Sequence, residues 1–177
     1  MELGARLGSD IPALVAGRAV VMEGRGEKVR ALRCRWEPGT AWWIVVVNPG
    51  FSVPTADVYA RHRTGLTSFP EIFKNATFAL EKGDVVLAST CLKNSLEEPV
   101  FRKYPLLGLL AERLKAAGAL GVLLSGSGAS VFALAGDETR ARAIEECVRR
   151  GTGPWLWTRV AQVLPDGVIG STRPFGG

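Results

Sequence analysis

The sequence predicts an α+β protein in which helices pack on one face of a mainly antiparallel sheet. The chain has 177 residues, 47% of them apolar, which is enough to bury a hydrophobic core. Runs of β-branched and aromatic residues lie near both ends of the chain, and helical patterns lie between them. A short Gly- and Ser-rich stretch then separates two apolar runs, which is typical of an antiparallel hairpin.

Three strands are predicted in the N-terminal part of the chain. Residues 18–24 and 27–36 are the first two, and the glycines at positions 24 and 26 allow a tight connection between them. Residues 41–47, AWWIVVV, form a continuous apolar run, so we predict a strand that is buried on both faces. The clearest domain boundary falls before this strand, near residues 37–40.

The middle of the chain is predicted to be helical. Residues 71–83 form one helix that stops at Gly83, and residues 93–119 are mostly helix with breaks at Pro99 and Pro105. The side chains predicted to face the core are Ile72, Phe73, Ala76, Ala79 and Leu80 in the first segment, and Leu107, Leu110, Leu114 and Ala117 in the second.

Two strands, a helix and a last strand complete the predicted order. The strands at residues 119–124 and 129–135 flank the glycine-rich stretch. Asp137 is predicted to cap a helix that ends at Gly151, and residues 154–163 form the last strand. The inner face of this helix is predicted to be Ala141, Ile144, Cys147 and Val148.

Composition narrows the class of protein. The net charge of +5 is consistent with an anionic partner or with a basic solvated surface, and the basic residues are too scattered to predict nucleic-acid binding. No apolar run is long enough for a membrane span, and no secretion leader is recognised, so a cytoplasmic protein is expected. The cysteines at positions 34, 91 and 147 are expected to be free thiols, and with a single histidine, His62, no metal site is predicted.

Two short stretches are candidates for a functional site. The sequence LSGSGASVFAL, at residues 124–134, is consistent with a simple hairpin turn or with a backbone that a ligand approaches closely. It is not a P-loop, a dinucleotide fingerprint or a nucleophile elbow, because the required neighbours are missing. Asp10, in LGSDIP, is either a cap or turn residue or a carboxylate that accepts a proton from a hydroxyl.

Several motifs taken together resemble the GHMP kinases, the family that includes galactokinase and the homoserine, mevalonate and phosphomevalonate kinases. The resemblance covers nearly the whole chain, and its segment SVPTADVY resembles the branch whose substrate carries a cytidine diphosphate group. The motifs occur in the family's order as LGSDIP, GRGEKV, VNPGFSVPTADVY, NSLEEPVFRKYP and GALGVLLSGSGASVFAL.

The resemblance implies roles for individual residues. Asp10 would accept the proton of the substrate hydroxyl, Thr55 would contact the substrate, and Tyr59 would stack on the cytosine ring. The backbone of the late glycine-rich stretch would line the substrate and phosphate region, at Gly126, Ser127 and Gly128. The implied substrate is a small-molecule alcohol that carries the cytidine diphosphate group, and the implied cofactors are ATP and Mg²⁺. The implied setting is isoprenoid biosynthesis.

The same resemblance implies a division into domains and an incomplete chain. Residues 39–177 would be the C-terminal, ferredoxin-like domain, and residues 1–38 a remnant of the N-terminal domain. The family's phosphate-binding loop and its N-terminal lysine are not in the sequence, and Ser95 stands where the family usually has aspartate. The chain alone is therefore expected to be inactive, and exposed strand edges can support self-association. The alternatives are a non-catalytic ligand- or partner-binding module and another small-molecule kinase of the family.

Overall fold

The computed structural model describes residues 10–24, 26, 28–54 and 70–164. The strands in this part of the chain are β1 (Val20–Glu23), β2 (Lys28–Ala31), β3 (Trp42–Asn48), β4 (Gly121–Leu124), β5 (Val131–Ala135) and β6 (Trp157–Val163). The helices are α1 (Ile11–Ala16), α2 (Pro70–Lys82), α3 (Val85–Thr90), α4 (Glu97–Lys103), α5 (Pro105–Ala116) and α6 (Glu138–Thr152).

The larger sheet has four strands in the order β4-β5-β3-β6, and every neighbouring pair is antiparallel. The long strand β3 lies between β5 and β6, with Val45 opposite Ala133 on one side and Val160 on the other. Its β-branched and aromatic residues suit this central position. The predicted antiparallel α+β architecture is therefore confirmed.

The main core lies between this sheet and the helices α4, α5 and α6. Helix α5 packs on β4 and β5, and α6 packs on β3 and β6. The predicted stripe of α5 is buried at Leu107, Leu110 and Leu114, whereas Ala117 is only half-buried. These helices lie against the face of the sheet that carries the buried residues Val45, Val47, Val131 and Ala133.

A second, smaller apolar cluster covers part of the opposite face. Trp36 stacks on Trp42 with ring centroids 4.7 Å apart, and each indole donates a hydrogen bond to the end of α2, at the carbonyls of Leu80 and Gly83 respectively. Helices α2 and α3 contribute the buried Ala79 and Ala88 to this cluster. The sheet thus has helices on one face, as predicted, and a partial layer on the other.

The N-terminal segment forms a separate two-stranded sheet. Strands β1 and β2 are antiparallel, with Val21 opposite Arg30. Gly24 and Gly26 connect them at φ values of 70° and 97°, which glycine adopts readily. The hairpin predicted from the glycines is therefore confirmed, and the backbone N–H of Arg35 ties the following segment to α2 through the carbonyl of Glu81.

Two details of the central helices differ from the prediction. Pro99 does not break the helix, because it lies in the first turn of α4, where a backbone N–H has no intrahelical partner to lose. Pro105 does separate two helices, as predicted, since α4 ends at Lys103 and α5 begins at the proline. Phe73 was predicted to face the core but is 47% exposed.

Helix α6 also differs in two respects. Cys147 is exposed, so the prediction that it belongs to the inner face is wrong, while Ala141, Ile144 and Val148 are buried as predicted. The helix continues past Gly151 and ends before Gly153, whose φ is 86°. A glycine ends a helix where the backbone takes a positive φ, and here that residue is Gly153 and not Gly151.

In the described ranges, no helix is long and apolar enough to cross a membrane. Residues 61–70, for which the sequence predicts a loop because they show no clear periodicity, lie almost wholly outside the described residues.

Candidate functional site

The glycine-rich stretch forms the turn of the β4–β5 hairpin. The turn is closed by two backbone hydrogen bonds, from Ser125 N–H to the Ser130 carbonyl at 2.9 Å and from Gly128 N–H to the Ser125 carbonyl at 2.9 Å. Gly126 has a φ of 57° and Gly128 a φ of 92°, so both have backbone conformations that favour glycine. The backbone conformation of the turn therefore explains why glycine occupies positions 126 and 128.

Gly128 also lies close to the core. A Cβ at this position would lie 3.2 Å from Leu124 Cδ1 and 3.6 Å from both Leu107 Cδ1 and Val53 Cγ2. At Gly126, by contrast, a Cβ would meet nothing within 4 Å. One glycine is thus required by backbone conformation and close packing together, and the other by conformation alone.

Asn94 binds the turn from the segment before α4. Its Nδ2 donates to the carbonyl of Leu124 at 2.9 Å and to the carbonyl of Gly126 at 2.7 Å, while its Oδ1 accepts from the N–H of Leu96 at 2.9 Å. Glu97, at the start of α4, accepts a hydrogen bond from the N–H of Leu124 at 2.9 Å. These two side chains together satisfy the outward-facing backbone groups of Leu124, at the end of the edge strand β4.

A third contact links the turn to the end of β3. Asn48 Nδ2 donates to Ser130 Oγ at 2.9 Å, and Asn48 Oδ1 accepts from Gly50 N–H at 2.7 Å. The chain after β3 is therefore directed along the turn, and it brings Val53 against Gly128.

An aromatic pair is built from the same segment after β3. Phe51 stacks on Tyr104 with ring centroids 5.7 Å apart, and Lys103 Nζ lies 5.3 Å from the centre of the Tyr104 ring. Both aromatic rings pack on the main core. An ammonium this close to an aromatic face is within the range of a cation–π interaction. This end of the domain therefore carries backbone polar groups, two aromatic rings and a positive charge.

The other predicted site residues do not join this cluster in the described structure. Asp10 is exposed at the N-terminal boundary of α1, a helix that packs on β1 and β2, and its carboxylate makes no capping hydrogen bond. Among the described residues, no hydrogen bond links the Asp10 side chain to the turn. Thr55 and Tyr59 lie outside the described residues. Gly126, Ser127 and Gly128 are the predicted site residues that the structure brings together.

Asn48, Asn94 and Glu97 are residues of this site that the sequence analysis did not single out. Asn94 and Glu97 stand in the motif NSLE, where only the serine was considered, and Ser95 is exposed. The sequence did offer one indication, because Asn94 stands a few residues before the start of a helix. Asparagine side chains at such positions often form hydrogen bonds with nearby backbone groups. That signal predicts the bond to Leu96, but not the two bonds to a turn distant in sequence.

No group of three potential metal ligands occurs within the described part of the chain. The described carboxylates therefore do not provide a set of ligands that would by itself hold Mg²⁺.

Comparison with known proteins shows the class of protein that this arrangement resembles. Residues 78–153 match the family described as "GHMP kinases C terminal". A homoserine kinase from Cytophaga hutchinsonii has a similar fold, with a TM-score of 0.63 at 18% identity over 87% of this chain and 50% of that one. Residues 78–153 thus match the C-terminal domain of the GHMP kinases, and the fold of the chain is similar to that of a member.

Within that class, the more similar relatives share one name. The chain is 36% identical over 159 residues to a 4-diphosphocytidyl-2-C-methyl-D-erythritol kinase of Pelotomaculum thermopropionicum, covering 90% of this chain and 54% of the relative. It is 38% identical to the kinase of the same name from Geobacter metallireducens, covering 84% and 50%. A crystal structure of a 4-(cytidine 5'-diphospho)-2C-methyl-D-erythritol kinase matches with a TM-score of 0.67 and 33% identity, covering 88% of this chain and 54% of that one. The chain spans about half the length of these relatives.

Proposed function

We propose that this chain is part of a kinase that transfers the γ-phosphoryl group of ATP to the 2-hydroxyl of 4-diphosphocytidyl-2-C-methyl-D-erythritol, a reaction of non-mevalonate isoprenoid biosynthesis. The observation that carries the proposal is the match, at 36–38% identity over 84–90% of the chain, to relatives named for that substrate. The geometry supports it at Gly126, which is exposed and has nothing within 4 Å of the position of a Cβ, so a ligand can approach the backbone closely there.

In the proposed reaction, Asp10 takes the proton of the substrate 2-hydroxyl. The oxygen of that hydroxyl forms a bond to the γ-phosphorus, the bond between this phosphorus and the bridging oxygen breaks, and ADP leaves. Such a transfer depends mainly on positioning and on neutralisation of charge. The turn at residues 126–128 would line the substrate and phosphate region, and Thr55 and Tyr59 would hold the cytidine end.

ATP and magnesium belong to this proposal through the kinases to which the chain is similar. The described carboxylates do not cluster, and the sequence has no glycine-rich loop that leads into a helix through a lysine. The proposal assigns residues 39–177 to the C-terminal domain and residues 1–38 to part of an N-terminal domain, which would carry the phosphate-binding elements.

Binding of the proposed substrate tests this function. Isothermal titration of the 177-residue chain with 4-diphosphocytidyl-2-C-methyl-D-erythritol should show binding, whereas mevalonate and homoserine, the substrates of other GHMP kinases, should show none. Binding of mevalonate or homoserine instead would identify another kinase of the family. If none of the three binds to a folded chain, the substrate assignment is wrong and a non-catalytic module is favoured.

Tyr59 provides a sharper variant for the same titration. Tyr59→Ala should weaken binding of the cytidine substrate by about 1–3 kcal/mol, the range for a base that loses an aromatic stacking partner. Tyr59→Phe keeps the ring and should retain the affinity, so it is the matched control. Equal affinity in Tyr59→Ala and Tyr59→Phe, with unchanged circular dichroism, would remove Tyr59 from the site.

A further inference from the structure

We infer that Asn94 is a positioning residue that holds the glycine-rich turn in its ligand-binding conformation. This inference rests on the proposed function, because it takes the turn at residues 126–128 as part of the substrate site. It adds a residue, outside the turn, that sets the direction of the turn's peptide groups.

The hydrogen bonds of Asn94 account for both of its donors. A carboxamide has two N–H donors and one carbonyl oxygen. Here one Nδ2 donates to two carbonyls of a single turn, at Leu124 and Gly126, while Oδ1 accepts the Leu96 N–H just before α4. Asn94 thus joins the start of a helix to a hairpin turn about thirty residues away in the chain. The half-buried side chain is fixed at both ends.

The bond to Gly126 fixes the orientation of one peptide group in the turn. In a trans peptide, the C=O and the following N–H point in opposite directions. Because the Gly126 carbonyl points to Asn94, the Ser127 N–H is directed to the other side of the turn. Because Gly126 has no Cβ, the backbone there has more conformational freedom than at other residues, so a side chain that holds this peptide group has a large effect on its direction.

The amide of Asn94 is required for this arrangement, and its size alone is not sufficient. Aspartate has nearly the same shape but, when ionised, has only acceptor oxygens. Asn94→Asp would place a carboxylate oxygen against two backbone carbonyls at distances near 2.8 Å, where the asparagine places a shared donor. The turn would have to rotate its carbonyls away, while the bond from Leu96 N–H to Oδ1 could remain.

The test compares Asn94→Asp with Asn75→Asp, the same chemical change at an exposed position of α2. Titration with 4-diphosphocytidyl-2-C-methyl-D-erythritol should show about a tenfold or greater loss of affinity for Asn94→Asp, because two hydrogen bonds are replaced by repulsion. Asn75→Asp should bind like the unsubstituted chain. In ¹⁵N–¹H spectra, the amide signals of residues 125–128 should shift in Asn94→Asp only, while the signals of α6 stay in place.

If Asn94→Asp does not fold, Asn94→Ser replaces it. Serine removes the reach to both carbonyls without adding charge, so the same amide shifts and loss of affinity are expected. A folded variant with unchanged affinity and unchanged turn signals would overturn this inference while leaving the proposed function intact. Absence of binding by the unsubstituted chain would overturn both.

Discussion

At the scale of single residues, Gly128 shows how conformation and packing act together. Its φ of 92° disfavours any side chain, and a Cβ would lie 3.2 Å from Leu124 Cδ1. Gly128→Val is expected to lower the free energy of unfolding by about 2 kcal/mol or more, since strain and crowding add. Urea unfolding followed by circular dichroism measures this.

Two glycine variants serve as controls for that measurement. Gly126→Ala tests strain alone, because its Cβ would meet nothing within 4 Å, and should cost about 1 kcal/mol. Gly136→Ala, where φ is not in the left-handed region, should cost less than either. If Gly128→Val is as stable as Gly136→Ala, the turn has more freedom than its geometry indicates.

The described structure gives Asp10 no contact that would support its proposed role as a general base. The carboxylate is exposed, so only the proposed function makes it a general base. In a full-length enzyme that carries this sequence, Asp10→Asn should lower turnover by roughly 100-fold or more, because asparagine cannot accept the proton. Substrate affinity should change much less. Glu23→Gln, an exposed neutralisation on β1, is the control, and near-normal turnover of Asp10→Asn would exclude the role.

At the scale of elements, the sequence predicted those segments whose residue pattern has one interpretation. The run AWWIVVV predicted β3, and the apolar pair around the glycines predicted the β4–β5 hairpin. Helix α3 was missed because its six residues are too few for a periodic pattern, although Asp84 accepts from Leu87 N–H as a capping residue. The hydrogen bonds from Asn94 to the turn could not be predicted either, since they depend on a tertiary contact.

The N-terminus of α6 gives a prediction at this scale. Asp137 accepts a hydrogen bond from Arg140 N–H at 2.7 Å, as the sequence predicted for a cap. Asp137→Ala should destabilise the protein by about 1 kcal/mol, and the midpoint temperature of thermal unfolding should fall by about 2–4 °C. Asp137→Asn keeps an acceptor oxygen, so its melting temperature should be close to that of the unsubstituted chain. Equal melting temperatures for the alanine and asparagine variants would show that the cap contributes no stability.

At the scale of the whole molecule, two apolar surfaces remain around a well-packed core. The partial layer on the second face leaves an open apolar pocket of about 290 Å³, lined by residues that include Trp42, Leu80 and Phe132. Strand β6 forms an edge of the sheet, and its Trp157 is 56% exposed. The backbone groups of an edge strand can pair with another chain, so self-association stays a prediction, which analytical ultracentrifugation measures.

The 177-residue chain alone is expected not to catalyse phosphoryl transfer. Supplied with ATP, magnesium and 4-diphosphocytidyl-2-C-methyl-D-erythritol, it should form no 2-phosphate product above a protein-free control. Transfer of a phosphoryl group needs focused positive charge and amide donors around the triphosphate. The basic residues of this chain are dispersed, and the turn at residues 125–130 leads into a strand, so it does not supply the helix N-terminus that commonly binds phosphate. The full-length kinase of Geobacter metallireducens, of which this chain covers 50%, is the positive control. Sustained turnover by the short chain would contradict the prediction and would mean that its own residues assemble a phosphate site.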